Sequence, residues 1–381
     1  MMNSNSIIEK ARTRVGIEQF DSESFREGLD ILVSDINASA FISENGLRGL
    51  EKILIGQLAA RLKVSQYLRE HPDLLDTPVP RPVFVLGAPR TGTTLLNNLL
   101  AADPARRSLL RWEIGDPVPP ARPGELVTDP RCLARRAADA ARPQAQRQSL
   151  KQHFEDADTP SECTILHGQD FKAQFLEALS PVPRYSEWIL RTDMTSAYRY
   201  QKRVLQILQS TNGGTWNLKM PSHALHIEAL LDVFPDARIV VTHRDPYKSM
   251  GSLCSLIESV QSGFCKHVDR DLIGRTYSVQ FCEHLNRPMA ARARRGRFHD
   301  IYYSALVDDP MAEIRGLYAW LGDELTPEAE EAMRAWLARN PQHRFGTHSY
   351  SLEKYGLSVD QVKPLLEPYL RRFSPESEVA S

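Results

Sequence analysis

Apolar residues follow two rhythms along this chain, and the switch between them separates strands from helices. A short apolar run at 83–86 and another at 239–242 read as buried strands, and further strands are expected over 215–218 and 299–303. Elsewhere the spacing lengthens to three and four residues. Leu95, Leu96, Leu99 and Leu100 give one face to a helix entered at Thr93. Met250, Leu253, Ile257 and Val260 do the same after Pro246, a residue suited to the first turn of a helix. Ile227, Leu230, Leu231 and Phe234 mark another helix, after an apparent helix start near Pro221 and Ser222. Leu47, Leu50, Leu54, Leu58 and Leu62 form a stripe within a helical region at 22–70, where Gly49 and Gly56 blur the boundaries. Alternating strands and helices predict an α/β fold: a central parallel β-sheet flanked by helices and joined by right-handed crossovers.

The 381 residues allow one large α/β domain, or at most two. An N-terminal helical region, 1–80, ends at Pro78, Pro80 and Pro82, and the α/β domain runs over 81–358. A helical insertion is expected at about 105–210, including a Pro-rich loop at 117–130, and a C-terminal helix and tail at 359–381. A net charge of −1 argues against general nucleic-acid binding. The five cysteines make no C-x-x-C pair and no zinc spacing, so reduced thiols and no metal are expected. The N-terminus lacks the apolar core of a signal peptide, and no run approaches the ~18 apolar residues of a membrane span. A cytoplasmic protein without a transmembrane segment is the expectation. Ten Lys/Arg stand against five Asp/Glu over 106–151, a solvated helix face or an attraction for an anionic acceptor or lipid headgroup. The basic cluster at 287–297 reads the same way.

The chemistry concentrates at 83–96, VFVLGAPRTGTTLL. Strand, glycine loop and helix N-terminus form an anion cradle, because unpaired N–H groups and the positive end of the helix dipole converge there. Gly87 and Gly92 fit the P-loop frame G-x-x-x-x-G-K-[ST], but Thr93 stands where the lysine belongs. That lysine reaches the β- and γ-phosphates of a nucleoside triphosphate, and the next hydroxyl holds magnesium. Without it, Mg-ATP chemistry fits poorly. The loop's only cation is Arg90, and Thr93 and Thr94 follow its second glycine, which suits a smaller terminal anion.

These residues resemble the loop of sulfotransferases that use 3′-phosphoadenosine 5′-phosphosulfate (PAPS), whose pattern P-[KR]-[ST]-G-T-T stands here as Pro89, Arg90, Thr91, Gly92, Thr93 and Thr94. In that family a strand-end arginine and a serine eight residues later hold the 3′-phosphate, and Arg244 and Ser252 keep the spacing. An arginine fork grips phosphate bidentately and a hydroxyl adds a hydrogen bond. Tyr303 takes a position that faces adenine in relatives, while Ser304 replaces the usual Glu. Arg344, Gly346 and His348 sit where relatives carry a basic loop over the 3′-phosphate, although the family's R-K-G triplet is absent and a solvated turn is the alternative. The segment Leu218, Lys219, Met220, Pro221, Ser222, His223 resembles the LK-x-P-x-H element of the bacterial branch, and the likeness spans 82–358. It implies a P-loop-like fold, PAPS as co-substrate with no metal, and a small or lipid-like hydroxylated acceptor.

Sulfuryl transfer needs cations over the sulfuryl oxygens and a base for the acceptor hydroxyl. Arg90 and Lys219 are the electrostatic candidates. Lys219 ends a strand and points toward the crevice where open α/β sheets bind ligands. For the base, Glu113 lies 23 residues after Arg90, at a distance similar to that of a glutamate in some relatives, with a surface ion pair to Arg111 or a neighbour as the alternative. His153 is the second candidate, with Glu162 to orient it or to bind the acceptor. His223 is expected to help the site or pack at a helix entry, and His167 to be ordinary. Phe171, Phe175, Tyr185 and Trp188 roof an acceptor pocket or belong to the core. Two other classes stay open: a nucleotide or small-molecule kinase, and a non-catalytic nucleotide-binding protein.

Overall fold

The computed structural model describes residues 1–144, 156–341 and 351–375. Five parallel strands occupy its centre: β1 (Val83–Gly87), β2 (Arg106–Ser108), β3 (Thr215–Lys219), β4 (Arg238–His243) and β5 (Arg297–Tyr302). Their spatial order is β2-β3-β1-β4-β5, an α/β fold with helices on both faces. The apolar runs locate four of the strands to within two residues. β2 is the exception, since Arg-Arg-Ser carries no apolar signal. Its arginines are nonetheless buried, Arg106 donating to Asp323 at 2.6 Å and to the Tyr318 hydroxyl at 2.9 Å.

Alternation along β1 assigns its two faces. Phe84 and Leu86 enter one core with Leu50, Leu54, Leu58 and Leu62 of the N-terminal helices. Val83 and Val85 enter another with Leu96, Leu99 and Leu100. The leucine stripe belongs to one long helix, α3 (Glu44–Glu70), which passes through Gly49 and Gly56 without a break. It follows α1 (Ser4–Val15) and α2 (Arg26–Ala38). A third core joins the helices Pro246–Gln261, Arg270–Arg292 and Val359–Phe373.

The Pro-rich stretch is a loop as far as Asp129, which caps a helix that begins at Pro130 and runs to Ala140, within the expected helical insertion. The basic clusters are not simply solvated: Arg287, Arg292, Arg294 and Arg295 pair with Glu283, Asp300, Glu228 and Asp232.

Register places the chemistry. Val85 lies opposite Lys219, and Gly87 opposite Thr242. The loop after β1 therefore emerges between Lys219 on one side and the β4 end on the other. The crossovers leaving β1 and β4 depart in opposite directions, so this is the switch-point crevice where open α/β sheets take ligands.

Candidate active site

The loop after β1 turns on three positive φ angles: Gly87 at 148°, Arg90 at 71° and Gly92 at 96°. Such a succession folds backbone N–H groups inward as an anion nest. Two of the glycines are also steric requirements. A Cβ on Gly87 would lie 2.6 Å from the Thr242 carbonyl oxygen, and one on Gly92 would lie 2.8 Å from the Tyr303 ring. The loop enters α4 (Thr93–Ala101), whose N-cap is Gly92. No side chain caps it, and no acidic residue lies in its first turn. Its leading N–H groups therefore still need an acceptor. The helix Pro246–Gln261, by contrast, is capped by Asp245.

The cation positions flank this nest. Arg90 donates from Nε to Ser252 Oγ at 3.1 Å, uniting residues from the two motifs. Arg244 donates to the Arg90 carbonyl oxygen at 3.1 Å, and its guanidinium lies 4.1 Å from the Tyr303 ring centroid. Tyr303 and Arg244 thus form a cation–π stack beside the loop. Across the nest, Lys219 Nζ lies 2.6 Å from Glu162 Oε1 and 3.4 Å from Thr94 Oγ1. Lys219 is buried, while Glu162 keeps 37% of its side chain exposed. The Cys163 N–H donates to the Lys219 carbonyl oxygen, which ties Glu162's segment to the end of β3. One face of the crevice thus holds Arg90, Ser252, Arg244 and Tyr303. The other holds Thr94, Lys219 and Glu162.

Several sequence expectations are displaced. The Thr91 side chain turns inward: its buried hydroxyl lies 2.5 Å from Thr242 Oγ1 and donates to the Ala88 carbonyl, bracing the loop against β4. Thr242 is a partner that sequence reasoning misses. Its only signal is a hydroxyl ending an apolar strand run. Thr93 is buried at the base of α4.

Glu113 forms an ion pair with a neighbour, Arg107, at 2.5 Å, and accepts the Leu110 N–H at 3.2 Å. Both oxygens are occupied and the residue is buried, so it presents no face to an acceptor hydroxyl. Phe171 is fully buried 6.3 Å from Phe25, in the core rather than in a pocket wall. His223 sits in a 3₁₀ turn, Pro221–His226, rather than in an α-helix start, with Nδ1 2.9 Å from the Tyr198 hydroxyl. Burial holds its pKa well below the ordinary imidazole value, so it stays neutral and packs. His167, 2.7 Å from Gln201, is also buried, with its pKa lowered to about 4 by desolvation. His153, Arg344, Gly346 and His348 lie outside the described residues.

Behind the loop, His243 bridges the Tyr369 hydroxyl at 3.0 Å and Asp300 at 2.8 Å. Burial would raise the Asp300 pKa, but hydrogen bonds from Arg292 and His243 outweigh it and hold the carboxylate ionised. Among the described residues no group of three or more His, Cys, Asp or Glu is placed to hold a metal, and no helix is long and apolar enough to cross a membrane.

Comparison with known proteins agrees with this geometry. Residues 82–327 match the model of the sulfotransferase family. The crystal structure of sulfotransferase STF9 from Mycobacterium avium is 43% identical, covers 100% of this chain and 99% of its own, and superposes with a TM-score of 0.94. That of sulfotransferase STF1 from Mycobacterium tuberculosis is 31% identical, over 96% and 99% of the two chains, with a TM-score of 0.84. The omega-hydroxy-beta-dihydromenaquinone-9 sulfotransferase Stf3 of Mycobacterium bovis is 24% identical over 77% of this chain and 76% of its own.

Proposed function

The chain belongs to the sulfotransferase family, and from that premise we propose that it carries a sulfuryl group from PAPS to the hydroxyl of a small or lipid-like acceptor, with Glu162 as the base. The observation that carries this reading is the Thr94–Lys219–Glu162 cluster at the head of the uncapped α4, facing Arg90 and Ser252 across the nest. The α4 N-terminus and loop N–H groups suit the 5′-phosphosulfate. Arg244 and Ser252 suit the 3′-phosphate, and Tyr303 the adenine side.

In the transfer, the acceptor oxygen attacks sulfur in line as the bond from sulfur to the phosphate oxygen breaks. Arg90 and Lys219 oppose the charge that grows on the sulfuryl and departing phosphate oxygens. Glu162 takes the acceptor's proton, and its 2.6 Å ion pair with Lys219 aims the carboxylate. The co-product is 3′,5′-adenosine bisphosphate. A lipid-like acceptor is supported by the relative named for a hydroxylated menaquinone derivative.

The test pairs two substitutions. Glu162→Gln keeps calorimetric binding of 3′,5′-adenosine bisphosphate without magnesium but lowers transfer by about 10²–10⁴-fold, read by mass spectrometry of extracts incubated with PAPS and searched for an added sulfuryl group. Arg244→Ala removes the preference for the bisphosphate over ADP. Full activity in Glu162→Gln, with loss in His153→Ala, moves the base to His153. Equal wild-type affinity for ADP and the bisphosphate overturns the donor assignment.

A further inference from the structure

The helix Pro130–Ala140 has its polarity inverted. Its charged side chains pair with neighbouring carboxylates while staying partly exposed. Arg136 pairs with Asp158 at 2.7 Å and Arg131 with Asp129 at 2.8 Å. Arg135 and Arg142 converge with Arg111 on Asp139, at 3.5, 3.0 and 2.5 Å. The outward side is apolar. Leu133, Ala134, Ala137 and Ala138 are all exposed, continued by Val127 before the helix and Ala141 after it. Leu133 keeps 49% of its surface and Val127 45%, while Cys132 is the helix's buried residue. A helix that simply meets water shows the opposite arrangement.

Two further observations say what covers this face. Arg131, Arg135, Arg136 and Arg142 rim it while keeping 24–41% side-chain exposure. With Arg111, five guanidinium groups share three direct carboxylate partners, Asp129, Asp139 and Asp158, beside the strip. The helix is also fastened to the segment that delivers Glu162. The Arg111 and Trp112 N–H groups donate to the Thr159 and Ala157 carbonyls, Ser161 N–H donates back to Leu109, and Glu162 follows. An apolar strip with a cationic rim is the pattern of a helix lying in a lipid–water interface.

We infer that this face docks on an anionic lipid bilayer and sets the acceptor entrance against the membrane. The delivery of a lipid acceptor rests on the function proposed above, whereas the docking does not. The apolar area is small, so docking is reversible and depends on both the strip and the rim.

The full chain is sedimented with vesicles of phosphatidylcholine alone or mixed with phosphatidylglycerol. It binds the mixed vesicles several-fold more strongly, and the difference collapses in about 1 M salt, where the screening length falls to about 3 Å. Leu133→Asp combined with Val127→Asp lowers the vesicle-bound fraction several-fold, while binding of 3′,5′-adenosine bisphosphate stays at the wild-type level and reports an intact fold. Leu133→Phe keeps vesicle binding. The inference falls if the wild type ignores both vesicles, if the double variant binds equally well, or if Leu133→Asp instead abolishes a dimer formed without lipid. An active enzyme that leaves vesicles unbound overturns the docking alone. A chain that binds vesicles but transfers no sulfuryl group overturns only the proposed reaction.

Discussion

Glu113 and Glu162 are both carboxylates near a cationic crevice, and burial gives them different work. Glu113 is enclosed with Arg107, its oxygens divided between a guanidinium and a backbone N–H. Breaking such a pair leaves a buried charge uncompensated and costs about 3–5 kcal/mol. Glu162 is more than a third exposed, so water weakens its side of the pair, although its partner Lys219 is buried. Glu113→Gln is therefore expected to lower the melting temperature by several degrees while the folded fraction binds 3′,5′-adenosine bisphosphate normally. Glu162→Gln should lower the melting temperature less than Glu113→Gln does. A calorimetric scan of the two variants checks this. A Glu113→Gln protein as stable as wild type but devoid of transfer would return the base to Glu113.

At the scale of elements, the strand–loop–helix unit shows what a linear sequence carries. The apolar runs, Gly87, Gly92 and the missing lysine depend on near neighbours, so both the strand and the anion cradle were legible. Thr91 was not, because its partner Thr242 lies on another strand, 151 positions away. Phe171 misled for a similar reason. An aromatic near a crevice and one in the core look alike until Phe25, on a distant segment, is placed against it. The helix at Pro130 was expected within the helical insertion but its start was left unplaced, since Asp129-Pro130 is a start pair hidden in a Pro-rich stretch. β2 was silent because ion pairs, not apolar side chains, bury it. Gly92 offers a test of the unit. Gly92→Ala puts a Cβ at a φ of 96° and 2.8 Å from Tyr303. The backbone strain is about 1–3 kcal/mol, and relief requires Tyr303 to leave its stack on Arg244. Calorimetry should show bisphosphate affinity reduced by about tenfold or more, equivalent to about 1.4 kcal/mol. Wild-type affinity would mean that neither the loop conformation nor the stack contributes to binding.

Across the whole molecule, the N-terminal helices share a core with the sheet, and buried polar groups fasten distant segments together. Arg61 of α3 reaches Asp170 and Asp21 at 2.9 Å each. Glu177 performs the same fastening at the helix Arg270–Arg292, where Gln280 donates to its Oε2 at 2.8 Å and the Tyr277 hydroxyl to its carbonyl oxygen at 3.2 Å. No guanidinium or ammonium group is hydrogen-bonded to its carboxyl among the described residues. Burial therefore pushes its pKa from 4.5 up to about 7, against the lowering effect of hydrogen bonds from Ser186, Gln280 and Gln174. The folded chain holds this proton more tightly than the unfolded chain does. Stability is therefore full below pH 4.5, falls as pH rises toward 7, and remains lower above it. A tenfold difference in proton affinity between the two states corresponds to about 1.4 kcal/mol, so the loss amounts to a few kcal/mol. Glu177→Gln keeps an acceptor for Gln280 but has no charge to bury. It should melt close to the wild type at pH 4.5 and several degrees above it at pH 8, the gap opening across the interval between. Parallel profiles for the two proteins would show that Glu177 is ionised in the fold, and that its junction tolerates the charge.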